Sequence, residues 1–209
     1  MARTGGFLGT IQWTLIVVGV LLLGYWTGMR LHGWIGAGSS VADFERARAA
    51  GLPVELPVDT TLWAEDRIAG YEESLEHDVE PPLAILRIAG IDLEVAVLAG
   101  TSELVLNRGV GHIEGTARPG EEGNIGIAGH RDGYFRGLKD IAEGDEIVVE
   151  TLDGRQTYAI TELLIVDPPD VWVLEPTEVP SLTLVTCYPF YFVGSAPQRF
   201  IVRAERVAG

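Results

Sequence analysis

The only cysteine in 209 residues closes a run of β-favouring residues, Thr183-Leu184-Val185-Thr186-Cys187-Tyr188, that Pro189 then stops. The thiol therefore sits where a strand gives way to a loop, the usual place for a rigid scaffold to present chemistry. A buried, inert thiol is the competing reading of a lone cysteine beside Val185 and Tyr188. Two further residues bear on the choice. His130 ends the apolar segment Asn124-Ile125-Gly126-Ile127-Ala128-Gly129 and is followed by polar, turn-forming residues; Arg199 stands at the mouth of the apolar run Phe200-Ile201-Val202. A cysteine nucleophile needs a base or imidazolium to make or hold its thiolate, and acyl transfer needs a donor for the oxyanion of its tetrahedral intermediate. Cysteine, histidine and arginine at three strand ends supply those roles, and acyl transfer is the chemistry they predict.

Thr183-Leu184-Val185-Thr186-Cys187 resembles the TLxTC signature of the sortases. Arg199 matches the position of their catalytic arginine, and Ala128-Gly129-His130-Arg131-Asp132 the segment that carries their catalytic histidine. The resemblance extends to Gly109-Val110-Gly111-His112, Gly115-Thr116-Ala117, Pro119-Gly120-Glu121, Phe135-Arg136-Gly137-Leu138 and Val166-Asp167-Pro168, so it covers roughly residues 80 to 207. The surroundings are most similar to class D and class E housekeeping sortases, Gram-negative versions included. The resemblance implies a closed eight-stranded β-barrel and a catalytic set of Cys187, His130 and Arg199. Thr186, Ala128 and Tyr188 become candidates for substrate contact, and His112 and Asp132 for support behind the catalytic residues.

These residues need a scaffold, and the pattern from Pro81 onward provides one. Short β-like segments run over Leu83 to Ile88, Leu93 to Leu98, Asn124 to Gly129, Asp145 to Glu150, Gln156 to Leu164, Leu182 to Thr186 and Phe200 to Ala204, with Asp153-Gly154 a hairpin turn. Brief helical pieces fall near Glu103 to Asn107 and Tyr134 to Lys139. Seven or eight short strands with little helix predict a mainly β protein, a small closed barrel over 81–209. Ahead of it, residues 60–80 predict an amphipathic helix, with Leu62, Trp63, Ile68, Tyr71 and Leu75 on one face and Glu65, Asp66, Glu72, Glu73 and Glu76 on the other. Such a helix packs on the barrel, and a lid over the active-site mouth is its functional alternative.

The amino-terminal region has a different composition. Residues 1–10 form a short tail, and Ile11 to Met29 is an almost unbroken apolar run; as a helix it would measure roughly 28 Å, enough to span a bilayer. An uncleaved transmembrane signal anchor is the favoured reading over a signal peptide, whose apolar region is usually shorter. Residues 30–59 read as a stalk, rich in small residues at first and then in proline. The first 42 residues contain no acid, so all 30 acidic residues lie beyond the apolar run. A domain so acidic is repelled by phosphate backbones and anionic lipid, which argues against a nucleic-acid partner and leaves any membrane link to the helix. A single cysteine permits no internal disulfide.

No cofactor is called for. His32, His77, His112 and His130 are widely separated, so no zinc-type spacing exists, and Asp167-Pro168-Pro169-Asp170 is the one loop that could concern calcium. Together the residues and the resemblance lead to a membrane-anchored cysteine transpeptidase, held in the plasma or inner membrane with its catalytic domain outside the cytoplasm. It would cleave an LPxTG-like sorting signal through a thioacyl intermediate and pass the acyl group to an amine, of a cell-wall peptide or another protein. The rivals are a membrane-anchored cysteine peptidase or an L,D-transpeptidase-like enzyme, and a non-enzymatic anchored binding barrel. The L,D-transpeptidases place glycine and serine or histidine before their cysteine, and here Val185-Thr186 stand there.

Overall fold

Alternation along β7 (Ser181–Tyr188) sets the frame of the molecule: Leu182 and Leu184 are fully buried in the core, while Thr183, Val185 and Cys187 fall on the opposite face. The computed structural model describes residues 58–191 and 194–207. Seven further strands complete the sheet: β1 (Ala84–Ile88), β2 (Leu93–Ala99), β3 (Val110–His112), β4 (Asn124–Ala128), β5 (Glu146–Thr151), β6 (Gly154–Val166) and β8 (Gln198–Arg206). They close a barrel in the order β1-β2-β3-β4-β7-β8-β6-β5, with β5 pairing back onto β1. The β2–β3 and β4–β7 pairs are parallel and the others antiparallel. Ile125 and Ile127 of β4, Leu182 and Leu184 of β7 and Val202 and Ala204 of β8 point into the core, joined by Phe135 and Leu138 from the 3₁₀ turn Tyr134–Asp140.

The eighth strand, β3, was not among the predicted segments. Three residues containing a glycine carry no alternation to read, and packing explains the glycine: a Cβ on Gly111 would lie 2.2 Å from the carbonyl oxygen of Gly100. The outer face of β4 and β7 is covered by the 3₁₀ turn Val171–Leu174. There the Asn124 amide donates to the carbonyls of Val173 and Glu175, and the Thr183 hydroxyl to Asn124 Oδ1 at 2.8 Å. Such pairing lets polar side chains occupy buried strand positions.

Two α-helices flank the barrel, α1 (Glu65–Ser74) and α2 (Glu103–Arg108), and they pack on each other. The packed face of α1 differs from the apolar stripe expected. Leu62 and Leu75 are exposed, whereas Arg67, Ile68, Gly70, Tyr71 and Ser74 turn inward. The helix is docked as much by polar bonds as by apolar contact: Arg108 Nη2 donates to the Ser74 carbonyl at 2.6 Å and to that of His77 at 3.0 Å. Trp63, just ahead of α1, packs edge-on against Tyr71 and Tyr134. Among the described residues no helix is long and apolar enough to cross a membrane. The tail, the apolar run 11–29 and most of the stalk lie outside the described residues.

Candidate active site

The barrel wall aligns three residues on its outer face. Cys187 of β7 is the direct antiparallel partner of Arg199 on β8, a relation that sets facing Cβ atoms about 5 Å apart on one side of the sheet. On the other flank, β4 runs parallel to β7 with Ala128 beside Val185. The contact is carried one residue further, to Gly129, by its amide, which donates to the Val185 carbonyl at 3.1 Å, and by the Thr186 hydroxyl, which donates to the Gly129 carbonyl at 2.7 Å. His130 follows directly and shares a groove with Cys187. Histidine, cysteine and arginine thus lie in a row on or just beyond the successive strands β4, β7 and β8.

Local sequence makes the row possible. Gly129 has no Cβ, and one placed there would meet the Phe135 ring at 2.7 Å; the missing side chain lets the chain turn tightly over that ring before His130. From the same turn, Arg131 donates to the carbonyls of Pro189 and Gly194, both at 3.0 Å. Arg136 donates to the Phe190 carbonyl at 2.7 Å and lies over the Tyr191 ring. Two guanidinium groups therefore tie the loop after Cys187 to the segment that carries His130. Tyr188-Pro189 is a cis peptide.

Cys187 and His130 line a common groove of about 760 Å³, together with Ala64, Asp66 and Arg67 of the α1 region, Asp132, and Gly194 to Ala196. Cys187 is half-buried. Arg199 stands beside the groove: its Nη1 donates to the carbonyls of Gln198 at 3.0 Å and Ala196 at 3.4 Å, and its other N–H groups make no bond to a described residue. His130 has 17% of its side chain exposed. Burial favours the neutral ring and holds its pKa below the ordinary value, and the Arg67 guanidinium acts in the same direction; the carboxylates of Glu103 and Asp132 oppose them. Nε2 lies 3.4 Å from Glu103 Oε1, within reach of an ion pair but off the direction of a hydrogen bond, so the contact is one of charge. A neutral ring next to a thiol is a proton acceptor, and the row as a whole suits nucleophilic attack on a carbonyl.

The supporting residues fall differently from expectation. Thr186 is 2% exposed and points inward, so it fixes Gly129 and is not placed to touch a substrate. Tyr188 packs against Phe190 and Phe200 and the core behind them, and Ala128 is spent on the β3 and β7 pairings; neither lines the groove. His112 is buried, its Nε2 in hydrogen-bond contact with the Ala117 carbonyl at 3.0 Å and the Thr116 hydroxyl at 3.2 Å, which orders the turn after β3. Asp132 does reach the site, through Arg67. The Asp167–Asp170 loop closes on itself: the Asp167 amide donates to Asp170 Oδ2, and the Asp170 amide to the Asp167 carbonyl. Arg67 and Glu103 were not anticipated; nothing in the sequence marks them, because their part depends on how α1 and α2 meet.

The family model of the sortase domain matches residues 86–207. Sortase D of Bacillus subtilis is 39% identical over 124 residues, covering 59% of this chain and 63% of that protein. Sortase SrtE1 of Streptomyces coelicolor is 38% identical over 143 residues, covering 59% of this chain and 40% of that one. The chain thus matches less than two thirds of the length of either curated relative. Among solved structures, a Clostridium perfringens sortase D5 transpeptidase superposes with a TM-score of 0.59 at 26% identity, over 82% of this chain and 98% of its own.

Proposed function

Since the chain belongs to the sortase family, we propose that it is a cysteine transpeptidase that cleaves a sorting signal through a thioacyl enzyme and hands the acyl group to an amine. The observation that carries the proposal is the row of His130, Cys187 and Arg199 on adjacent backbones of the barrel wall. In the reaction so read, His130 accepts the Cys187 proton as sulfur attacks the scissile carbonyl, and Arg199 turns a free N–H toward the developing oxyanion. The imidazolium then protonates the leaving amine, which departs and leaves a thioester. An incoming amine loses its proton to the neutral ring, attacks the thioester and expels the thiolate, which recovers the proton. Nucleophile, proton carrier and oxyanion donor are all side chains, so no cofactor is required. The sorting signal is LPxTG-like, with LPxTA or LAxTG as variants of the same motif. The acceptor is an amine of a cell-wall peptide or of another protein.

The test is a peptide carrying such a motif, given to the full chain with and without a panel of amines. Added amine should raise turnover and appear in a ligated product. Cys187→Ala should abolish both thioacyl formation and product, His130→Ala should fail, and Arg199→Lys should be severely impaired, because a lone ammonium lacks the planar fork. Hydrolysis alone across the panel, or activity in Cys187→Ala, would remove the transpeptidase reading.

The apolar run 11–29 supports an uncleaved single-pass anchor in the plasma or inner membrane, with the barrel on the extracytoplasmic side. Intact mass of the native protein should include the amino terminus, and the protein should fractionate with membranes. A mature chain beginning near Ser39 would contradict the anchor.

A further inference from the structure

Next to the row of three lies a charged junction between α1, α2 and the turn after His130. A single oxygen, Oε1 of Glu103, receives Arg67 Nη1 at 2.9 Å and lies 3.4 Å from His130 Nε2. Arg67 also reaches Asp132 Oδ1 at 3.2 Å through Nε and donates to Asn107 Oδ1 through Nη1. The Ala64 amide donates to the Asp132 carbonyl at 3.3 Å, so the start of α1 is bolted to the turn that carries His130. Nε2 is a buried atom with no hydrogen-bond partner among the described residues, and this carboxylate lies within ion-pair reach of it.

We propose that Glu103 is a positioning residue for His130, holding the imidazolium formed during the reaction, and that Arg67 sets the strength of that hold by competing for the same carboxylate oxygen. The inference rests on the reading of His130 as the proton carrier. When the ring takes the thiol proton, both of its nitrogens become donors: one serves the reacting atoms and the other finds Glu103 at its side. No proton passes to the carboxylate in this role. Because 68% of its side chain is exposed, solvent tempers its influence, and the contribution is that of a rim charge. The competition is one of opposite signs: Glu103 favours the charged ring, and Arg67 disfavours it directly and by drawing Glu103 off. The other ionisable and charged groups around His130 are Asp66 from α1, Arg131 and Asp132 from its own turn, Arg136 from the following 3₁₀ turn and Cys187 from β7. The helix α1 thereby reaches the chemistry through Arg67.

The experiment follows the His130 ring by NMR in the full chain with labelled histidine, the other three histidines being told apart by a His130→Gln control. Glu103→Gln should move the titration to lower pH and lower kcat/KM by about fivefold, the scale of an exposed charge pair, with Glu103→Asp restoring most of both. Arg67→Met should move the titration to higher pH. Displacements of opposite sign are the expected result, since residues that merely fastened α1 to the barrel would shift the ring alike or leave it unmoved. An unchanged titration in Glu103→Gln, or movement in the same direction in both variants, would overturn the proposal. The titration needs no turnover, so a protein that failed to transpeptidate would refute the proposed reaction without touching this result.

Discussion

Burial shifts His130 toward its neutral form, and that shift adds a component of its own to the response of activity and stability to acid. The unfolded ring has a pKa near 6.5, and in the folded protein burial and then Arg67 hold it lower. Below 6.5 the unfolded chain therefore binds more protons than the native one, so this residue's contribution to stability is intact above 6.5 and is lost as pH falls toward the folded value. Denaturation midpoints between pH 7.5 and 5.5 should decline more steeply in the wild type than in His130→Gln; equal slopes would contradict the burial argument. At this scale the three residues proposed to react are legible in the sequence alone, because each combines an uncommon side chain with a strand end. The positions of Thr186, Ala128 and Tyr188 away from the groove lining were not legible, since closeness in sequence to Cys187 and His130 says nothing of facing. Thr186 turns inward while its neighbour Cys187 turns outward.

Among the elements, strands with alternation were visible and those without it were not. β5, β6, β7 and β8 announce themselves through runs of Val, Ile, Leu and Thr, while β3 is held by its neighbours and by the room that Gly111 leaves. For α1, apolar periodicity suggested a greasy stripe, but the docked face proved partly polar because α2 offers Arg108 and Asn107 to it. This makes Arg108 the element's main fastening. Arg108→Met removes the donor to the Ser74 carbonyl at the end of α1 and to the His77 carbonyl just beyond it, and each bond to a charged group is worth about 1.5 kcal/mol or more. Amide exchange in α1 should accelerate by roughly tenfold or more, with β4, β7 and β8 unaffected. Equal acceleration in the barrel strands would mean that α1 is an integral part of the barrel's cooperative unit.

For the molecule as a whole, the step that makes a barrel out of a sheet is the pairing of β5 with β1, and the charges at that seam invite a decisive experiment. Ile85 lies opposite Glu150 there, and the Glu150 side chain is 6% exposed. Its carboxylate is in contact with Arg87 of β1 and accepts from Arg155 Nε at 3.0 Å and Nη2 at 2.8 Å. Arg87 also reaches Glu94 of β2 at 3.0 Å, so four charges join four strands around the seam, β2, β1, β5 and β6. A closed barrel could be expected from the number and shortness of the strands, whereas this cluster could not, because the register of β5 against β1 joins segments about 60 residues apart with three helical pieces between them. Glu150 and Arg87 are the buried members, and removing one charge of a buried pair leaves the other under-compensated, which costs about 3 kcal/mol. Glu150→Ala should therefore lower the free energy of unfolding by that order in a single transition, because closure involves every strand. Yet β5 stands three strand positions from β7 around the barrel. Under conditions where the variant remains folded, its Cys187 should react with an alkylating reagent at the wild-type rate. A changed alkylation rate in the folded variant would show that the seam and the site are coupled through the barrel wall.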